Sequence, residues 1–516
     1  MARPVRTRRW YIRILRRLWH LAVLLLVTLA VYQTGGRLFM ARLGGQQARV
    51  EAQLSQLLQA NVTIGDLRGS WFRFSPAFEI DDLVIRAPGG ERHALERITV
   101  ELDAVDSLLE TRPAVTRIHA GGVDVSLQQD ASGRWSLAGL PRGNGPDYSR
   151  QIIDFLLQTR GIDLAESQLH VQRAGLADVT VSSLYLDLRN RGGSHEMEGQ
   201  FRVNGQASPS RVHLTLDGDP RGEFSASLYA GTSALELGAL VPMPADSPWQ
   251  LQRLQISGGA WLEADQDGIR MLRTAVSDFG ATVLHAETQR SVALEHASFS
   301  AYVAPDTDTW NAGIADLSFD LQQTPWELPG LQVQVTPETK ALTLRAASLD
   351  VALLEQLVLL APSIPANAAS IVDTINPRGR LDNVRVDTAL DGSYPEGFEL
   401  RANVVDVAVD AWNAAPAGSG VQGYVQATAR GGFAEVDSDA FELHLPRLFD
   451  TRWHYDHVNA RVHWSLGENG GFRIGSNAID VRGDGMDGTV RFDLLSTRDD
   501  SAVRTTDLTL LVGMRS

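Results

Sequence analysis

The chain has 516 residues and a formal net charge of −15, and it contains no cysteine. Its first 50 residues hold ten arginines and no acidic residue, so the remainder carries a net charge of about −25. An acidic surface of this kind repels phosphates, which argues against a nucleic acid as partner and against broad adhesion to anionic lipid headgroups. Without cysteine, disulfides, thiolate metal ligands and cysteine nucleophiles are excluded.

A long apolar stretch near the N-terminus predicts a transmembrane anchor. Residues 18–38 provide roughly 20 positions, about the ~30 Å that a helix rising 1.5 Å per residue needs to cross the hydrocarbon core. Seven arginines precede this stretch, and no acidic residue occurs before Glu51. By the positive-inside rule, residues 1–17 form a basic cytoplasmic tail and the rest of the chain is exported.

Two alternatives for this stretch remain open. Residues 7–13 resemble a twin-arginine export signal, and a cleaved signal peptide also joins basic residues to an apolar run. The length of the run and the lack of an Ala-x-Ala-like site after it disfavour cleavage. A buried helix of a soluble domain is also disfavoured, because seven arginines beside it would be hard to place in a core.

An amphipathic helix is predicted at residues 46–60, because Val50, Leu54 and Leu58 recur at helical spacing on one face. We expect this helix to cap the domain that follows, and the alternative is a position on the membrane surface.

Residues 61–516 repeat a two-residue alternation of apolar and polar side chains, which predicts strands with one apolar face. Pairs such as Asp217-Gly218 and Asp391-Gly392 separate the strands and suit hairpin turns, because these residues tolerate positive φ. Few helices interrupt the pattern, and none of them has membrane-spanning length; they are predicted at 104–110, 149–158, 351–360 and 368–375. The predicted fold is therefore mainly β, an elongated antiparallel sheet behind a single transmembrane helix.

No constellation of catalytic or metal-binding residues stands out. His454 and His457 would point to opposite faces of a strand, which disfavours a shared metal. Asp480, Asp484 and Asp487 lack the alternate-position ligand spacing of a calcium loop, and hairpin turns explain them better. Nucleophile elbows and glycine-rich phosphate loops are missing from the sequence. We therefore expect neither an enzyme nor a cofactor.

The order of the elements resembles the N-terminal part of the AsmA-like proteins. The likeness includes the anchor, the amphipathic helix, residues 64–71 with Pro76, the strand at 98–103 and the segment Gly133-Arg-Trp-Ser-Leu137. It is most similar to the YhdP branch, which residues 353–375 and the following 377–386 also resemble. The resemblance implies an inner-membrane anchor in a diderm bacterium and a long, curled β-sheet with an apolar groove. It further implies that phospholipids pass along this groove toward the outer membrane.

Members of that branch are much longer, so we expect residues 61–516 to be a periplasmic groove truncated at its C-terminus. The leading hypothesis is a conduit in which phospholipid acyl chains lie on the inward apolar face. Its predicted lining residues are Val123, Val125, Leu127, Leu184, Leu186, Val212, Leu214 and Leu216. The alternative is an envelope assembly or scaffold protein that recruits outer-membrane or other envelope proteins through exposed sheet edges.

Overall fold

The structure is a computed structural model. It describes the whole chain except residues 1–7, 42, 73–74, 105–106, 108–113, 130–134, 141–154, 174–176, 239–240, 242–246, 361–365, 390–397, 413–414, 448–449, 468–470, 484–486, 499–503 and 515–516. The chain divides into two units, Met1–Asp246 with Gln255–Gly268 and Ser247–Leu254 with Ile269–Ser516. Each unit is built mainly of β-strands. The predicted fold class, a mainly β chain with one long apolar N-terminal helix and few other helices, is confirmed.

Unit 1 begins with helix α1, Arg8–Ala41. Within it, Arg13–Leu38 is long and apolar enough to cross a membrane, and its residues are exposed or at most half-buried in the protein. A 3-10 turn, Leu43–Gln46, leads into helix α2, Gln47–Leu58. The apolar side of α2, which includes Leu54, packs on a core cluster of the first strands that contains Leu67 and Ile85.

The strands of unit 1 follow α2. They are β1 Asn61–Thr63, β2 Asp66–Phe72, β3 Ser75–Arg86, β4 Arg92–Asp103, β5 Ala114–Gln129, β6 Trp135–Leu137, β7 Gly161–Arg173, β8 Val179–Arg191, β9 Ser194–Val203, β10 Ser210–Gly218, β11 Phe224–Glu236 and β12 Trp249–Asp265, whose first residues belong to unit 2.

Neighbouring strands of unit 1 pair antiparallel, apart from β5 and β7, which pair parallel. The alternation pattern and the hairpin turns predict only antiparallel pairing. The chain between Gln129 and Gly161 is long enough to return to the start of β5, as a parallel crossover requires.

Unit 2 continues with strands that pair antiparallel in chain order up to β22. They are β13 Gly268–His285, β14 Ser291–Pro305, β15 Trp310–Leu321, β16 Thr324–Thr336, β17 Ala341–Asp350, β18 Arg378–Ala389, β19 Glu399–Val409, β20 Ala417–Thr428, β21 Gly431–His444, β22 Trp453–Leu466, β23 Phe472–Ser476, β24 Ile479–Arg482, β25 Gly488–Arg498 and β26 Arg504–Met514.

Helices α3, Val351–Leu360, and α4, Ala366–Ile375, lie between β17 and β18. Both were predicted from the sequence. Leu353 of α3 is 2% exposed and packs against Leu321 and Leu328 of the sheet.

Other local predictions had mixed outcomes. Asp217 and Gly218 do not form a turn, because they still pair with Ser225 and Phe224 at the end of β10. The turn comes directly after them, where the Asp219 carboxylate accepts the Arg221 N–H at 3.0 Å. The turn predicted at Asp391-Gly392 lies outside the described residues, as do most of the helix predicted at 104–110 and residues 149–154 of the next one.

Bulges with a left-handed residue recur in the long strands. In unit 1 these residues include Glu166, Ser183 and Ala234; in unit 2 they include His296, Asp316, Asn383, Asp406, Gly420 and Ala440. Gly122 is left-handed as well, but the strand register continues across it. A bulge inserts one extra residue, bends the strand and resets which side chains point to which face. If odd-numbered residues lie on a given face before a bulge, even-numbered residues therefore lie on that face after it.

Candidate functional site

Cross-strand register identifies the side chains that share a face of unit 1, because directly paired residues point to the same side of a sheet. One row of paired residues crosses this unit without a charged or polar side chain, and we call it the first row. It comprises Gly69, Phe78, Val100, Ile118, Ile162, Leu188, Met197, Leu214, Leu228 and Leu262.

A second row runs two residues away on the same face and is also wholly apolar. It comprises Leu67, Ile80, Ile98, Ala120, Leu164, Leu186, Gly199, Val212, Ala230 and Ala260. We call the side that carries both rows the apolar face of unit 1.

All of the predicted lining residues lie on this face. Leu214 belongs to the first row, while Leu186 and Val212 both pair with Gly199 in the second. Leu184 and Leu216 follow by strand alternation. Val125 pairs with Leu169, Leu169 pairs with Val181, and Val181 pairs with Val203. Val203 lies on the same side of β9 as Met197 and Gly199, which belong to the two rows. Val125, and with it Val123 and Leu127, therefore lies on the apolar face.

The apolar face is only partly covered. Every predicted lining residue is half-buried, and from residue 194 to residue 201 of β9 the half-buried odd-numbered residues alternate with exposed even-numbered ones. Among the described helices, α2 packs on this face at its β1–β4 end, where Leu67, Ile80 and Ile98 lie near Leu54 and Leu58. Most of the described face therefore presents hydrocarbon side chains that no described helix covers.

The opposite face of unit 1 is polar. Its corresponding row pairs Asp163, Asp187, Glu198, His213 and Tyr229. The Asp187 carboxylate forms an ion pair with Arg189, which raises the pKa of that guanidinium. Aromatic side chains on this face are well exposed, Tyr185 at 44% and Trp261 at 43%. The two faces thus differ as a hydrocarbon-facing and a water-facing surface would.

Unit 2 carries an apolar face of the same kind. One row of paired residues crosses it from β13 to β26 with no charged side chain. It comprises Leu272, Val303, Ala312, Val333, Leu344, Val386, Leu400, Ala427, Gly432, Trp464, Ile474, Leu494 and Leu508. These residues are half-buried or exposed, and Leu508 is 63% exposed.

The neighbouring row of unit 2 is polar and points the other way. Arg345, Arg385 and Arg401 pair in succession across β17, β18 and β19. Arg385 donates to the Asp387 carboxylate at 2.7 Å, and this hydrogen bond is the main reason that the pKa of Asp387 is lowered. Two arginines of this row are therefore paired with carboxylates of the next polar row, Arg385 with Asp387 and Arg401 with Glu399.

The two histidines considered as metal ligands each lie beside a carboxylate of the neighbouring strand β21. His454 Nε2 lies 2.9 Å from Glu442 Oε1, and His457 Nδ1 lies 2.9 Å from Asp439 Oδ1 on the next strand. Asp480 lies in β24, and Asp484 lies outside the described residues.

Sequence reasoning missed one group whose ligand atoms lie close enough to share a metal ion. Glu196, Glu198 and His213 offer atoms within 4.8 Å of one another. They come together because β9 pairs with β10 in a register that places Glu198 opposite His213, and no local sequence motif predicts this register. Both glutamates are exposed, on the polar face and away from the apolar rows.

Comparisons with known proteins agree with this picture. The family model described as YhdP protein matches residues 1–515. The intermembrane phospholipid transporter YhdP of Escherichia coli (strain K12) is 21% identical over 487 residues, which cover 89% of this chain and 36% of the transporter. The chain thus spans about a third of the length of that relative, and no solved structure matches it. By the extent of the family match, the chain belongs to the YhdP protein family.

Proposed function

We propose that this chain is part of a membrane-anchored conduit that carries phospholipids between the inner and outer membranes along its apolar faces. The observation that carries the proposal is the pair of uninterrupted apolar rows across unit 1, most of whose residues are only half-buried. The printed name of the Escherichia coli relative supports the same substrate class.

Acyl chains are the natural cover for such a face. Apolar surface left in water costs about 25 cal/mol per Å², and hydrocarbon tails lying on the rows would recover that free energy. The attraction is non-directional, so a chain can slide from one row position to the next without a tight binding site. The lipid headgroup stays in water, because burying it unpaired would cost several kcal/mol.

The anchor supports a location in the inner membrane. We place residues 1–17 in the cytoplasm and residues 61–516 in the periplasm, because the arginines cluster before the apolar span. In this arrangement helix α2, within residues 46–60, caps the membrane-proximal end of the sheet. Sliding of lipid needs no bond-making chemistry from the chain, so we propose a non-enzymatic role.

A pair of substitutions on one strand tests the proposal. Leu214→Lys places a charge on the apolar face, while the adjacent Thr215→Lys places it on the polar face opposite Glu196. We expect Leu214→Lys to lower the delivery of radiolabelled phospholipid to the outer membrane by about tenfold or more, because a charge among hydrocarbon is costly. The readout is phospholipid transfer in cells that depend on the full-length protein.

Thr215→Lys should leave transfer within about twofold of the parent chain, and both variants should melt like the parent. Equal transfer by parent and Leu214→Lys would contradict the conduit. Unchanged lipid transfer with loss of a protein complex would favour the scaffold role instead.

A further inference from the structure

The first row begins where the membrane helix ends. Gly69, the first residue of the row, faces Met40 near the end of α1, and a Cβ at Gly69 would collide with the Met40 carbonyl. Met40 is only 2% exposed. The next residues of the row, Phe78 and Val100, are half-buried beside it. The apolar row therefore runs up to the anchor without an intervening polar side chain.

Trp71 lies on the same face as Gly69, two residues along β2, and contacts the last part of the membrane span. The Tyr32 ring meets the Trp71 ring edge to face, with centroids 5.2 Å apart. A Cβ on Gly36 would lie 2.5 Å from the indole carbons, so the helix rests directly on the ring there. Tyr32 and Gly36 belong to the apolar segment Arg13–Leu38. Tyrosine and tryptophan together are typical of the membrane–water interface, which places Trp71 at headgroup depth.

The indole of Trp71 also leaves a donor unused. Trp71 Nε1 is buried and has no hydrogen-bond partner within the described structure. A buried N–H without an acceptor destabilises the state that contains it. An oxygen supplied by a ligand would remove this cost at the point where α1 crosses the row.

Resting on the proposed function, we propose that the α1–β2 junction is the site where a glycerophospholipid enters the conduit from the bilayer. As α1 leans away from β2, Trp71 Nε1 donates to a phosphate or ester oxygen of the lipid. The acyl chains then pass over Gly69, which has no side chain to block them, onto Phe78 and the rest of the first row. Gly69 and Gly36 keep the helix close enough to guide this transfer.

The experiment uses full-length protein in native membranes, with a photo-reactive residue at position 78 or position 228, the beginning and the far part of the first row. Trp71→Phe keeps the ring and removes the N–H. We expect it to lower phospholipid adducts at both positions by about fivefold or more, because a hydrogen bond to a charged oxygen is lost. Trp261→Phe is the matched control on the polar face and should leave both yields unchanged.

A second variant tests whether a lower adduct yield reflects the entry site and not a general loss of folding. Gly69→Ala should displace the end of α1 and lower the adduct yield at 228, while the melting temperature of the chain changes little. Unaltered yields in both Trp71→Phe and Gly69→Ala would overturn the entry site, even with strong adducts in the parent chain. Absence of lipid adducts at both positions in the parent chain would overturn the proposed function itself.

Discussion

Ser438 shows how one side chain compensates for a bulge. It is fully buried, and its hydroxyl accepts the Gln422 N–H at 2.8 Å and donates to the Gln422 carbonyl at 3.3 Å. Gln422 lies where the β20–β21 register shifts, so its backbone groups lack a strand partner. Ser167 plays the same part for Val123, and Ser257 for Ala234. Serines beside bulges thus satisfy the backbone donors that the bulges release.

Removing this hydroxyl should therefore be costly. We expect Ser438→Ala to destabilise unit 2 by about 1 kcal/mol, because the Gln422 N–H would lose its acceptor in a part-buried hydrogen bond. Hydrogen exchange of the Gln422 amide and denaturant unfolding of the full chain measure the effect. Ser465→Ala, at an exposed position of β22, is the control and should change little. Equal stability of the two variants would show that the serine is not needed there.

Gly122 shows why strand alternation alone does not predict which side chains share a face of the sheet. Alternation alone puts Ile118 and Ala120 on one face and Val123 and Val125 on the other. The left-handed residue Gly122 resets the count, and all four side chains share the apolar face. Alternation predicts which residues share a face within an uninterrupted stretch of strand. It does not predict which residues share a face across a bulge, because Glu166, Ser183 and Ala440 carry no sequence signal for one.

Helices α3 and α4 form the principal helical element on the sheet of unit 2, and they bring two acidic residues together. Burial, and secondly the carboxylate of Asp373, raise the pKa of Glu355 on α3. The pKa of this group is thus higher in the folded chain than in the unfolded one. Below its unfolded pKa, Glu355 is protonated in both states and costs nothing. Its ionised form destabilises the folded state as the pH rises above that value.

Glu355→Gln should consequently raise the melting temperature of unit 2 at pH 7, by a few degrees at most, and should have no effect well below pH 4. Thermal melts followed by circular dichroism at both pH values measure this difference. Glu338→Gln, in the exposed turn before β17, is the control and should melt like the parent chain at both. A stabilisation that is the same at pH 7 and at low pH would contradict the assignment to ionised Glu355.

Each of the two units carries its own apolar face, and this is the property of the whole chain that the sequence conveys best. Alternation predicts the strands and the apolar side of each strand, because it is a local pattern. The parallel β5–β7 pair and the convergence of Glu196 with His213 depend on register between distant segments, which alternation does not determine. The start of the first row under Met40 likewise depends on packing between a helix and a sheet.

The most direct measurement places a photo-reactive residue at each position from 211 to 216 of β10, one at a time, in the full-length protein in cells. Side chains of this strand alternate between the two faces of unit 1. We expect phospholipid adducts at 212, 214 and 216 and few or none at 211, 213 and 215. Adducts without this two-residue alternation, or adducts to protein alone, would contradict the claim that the apolar face carries lipid.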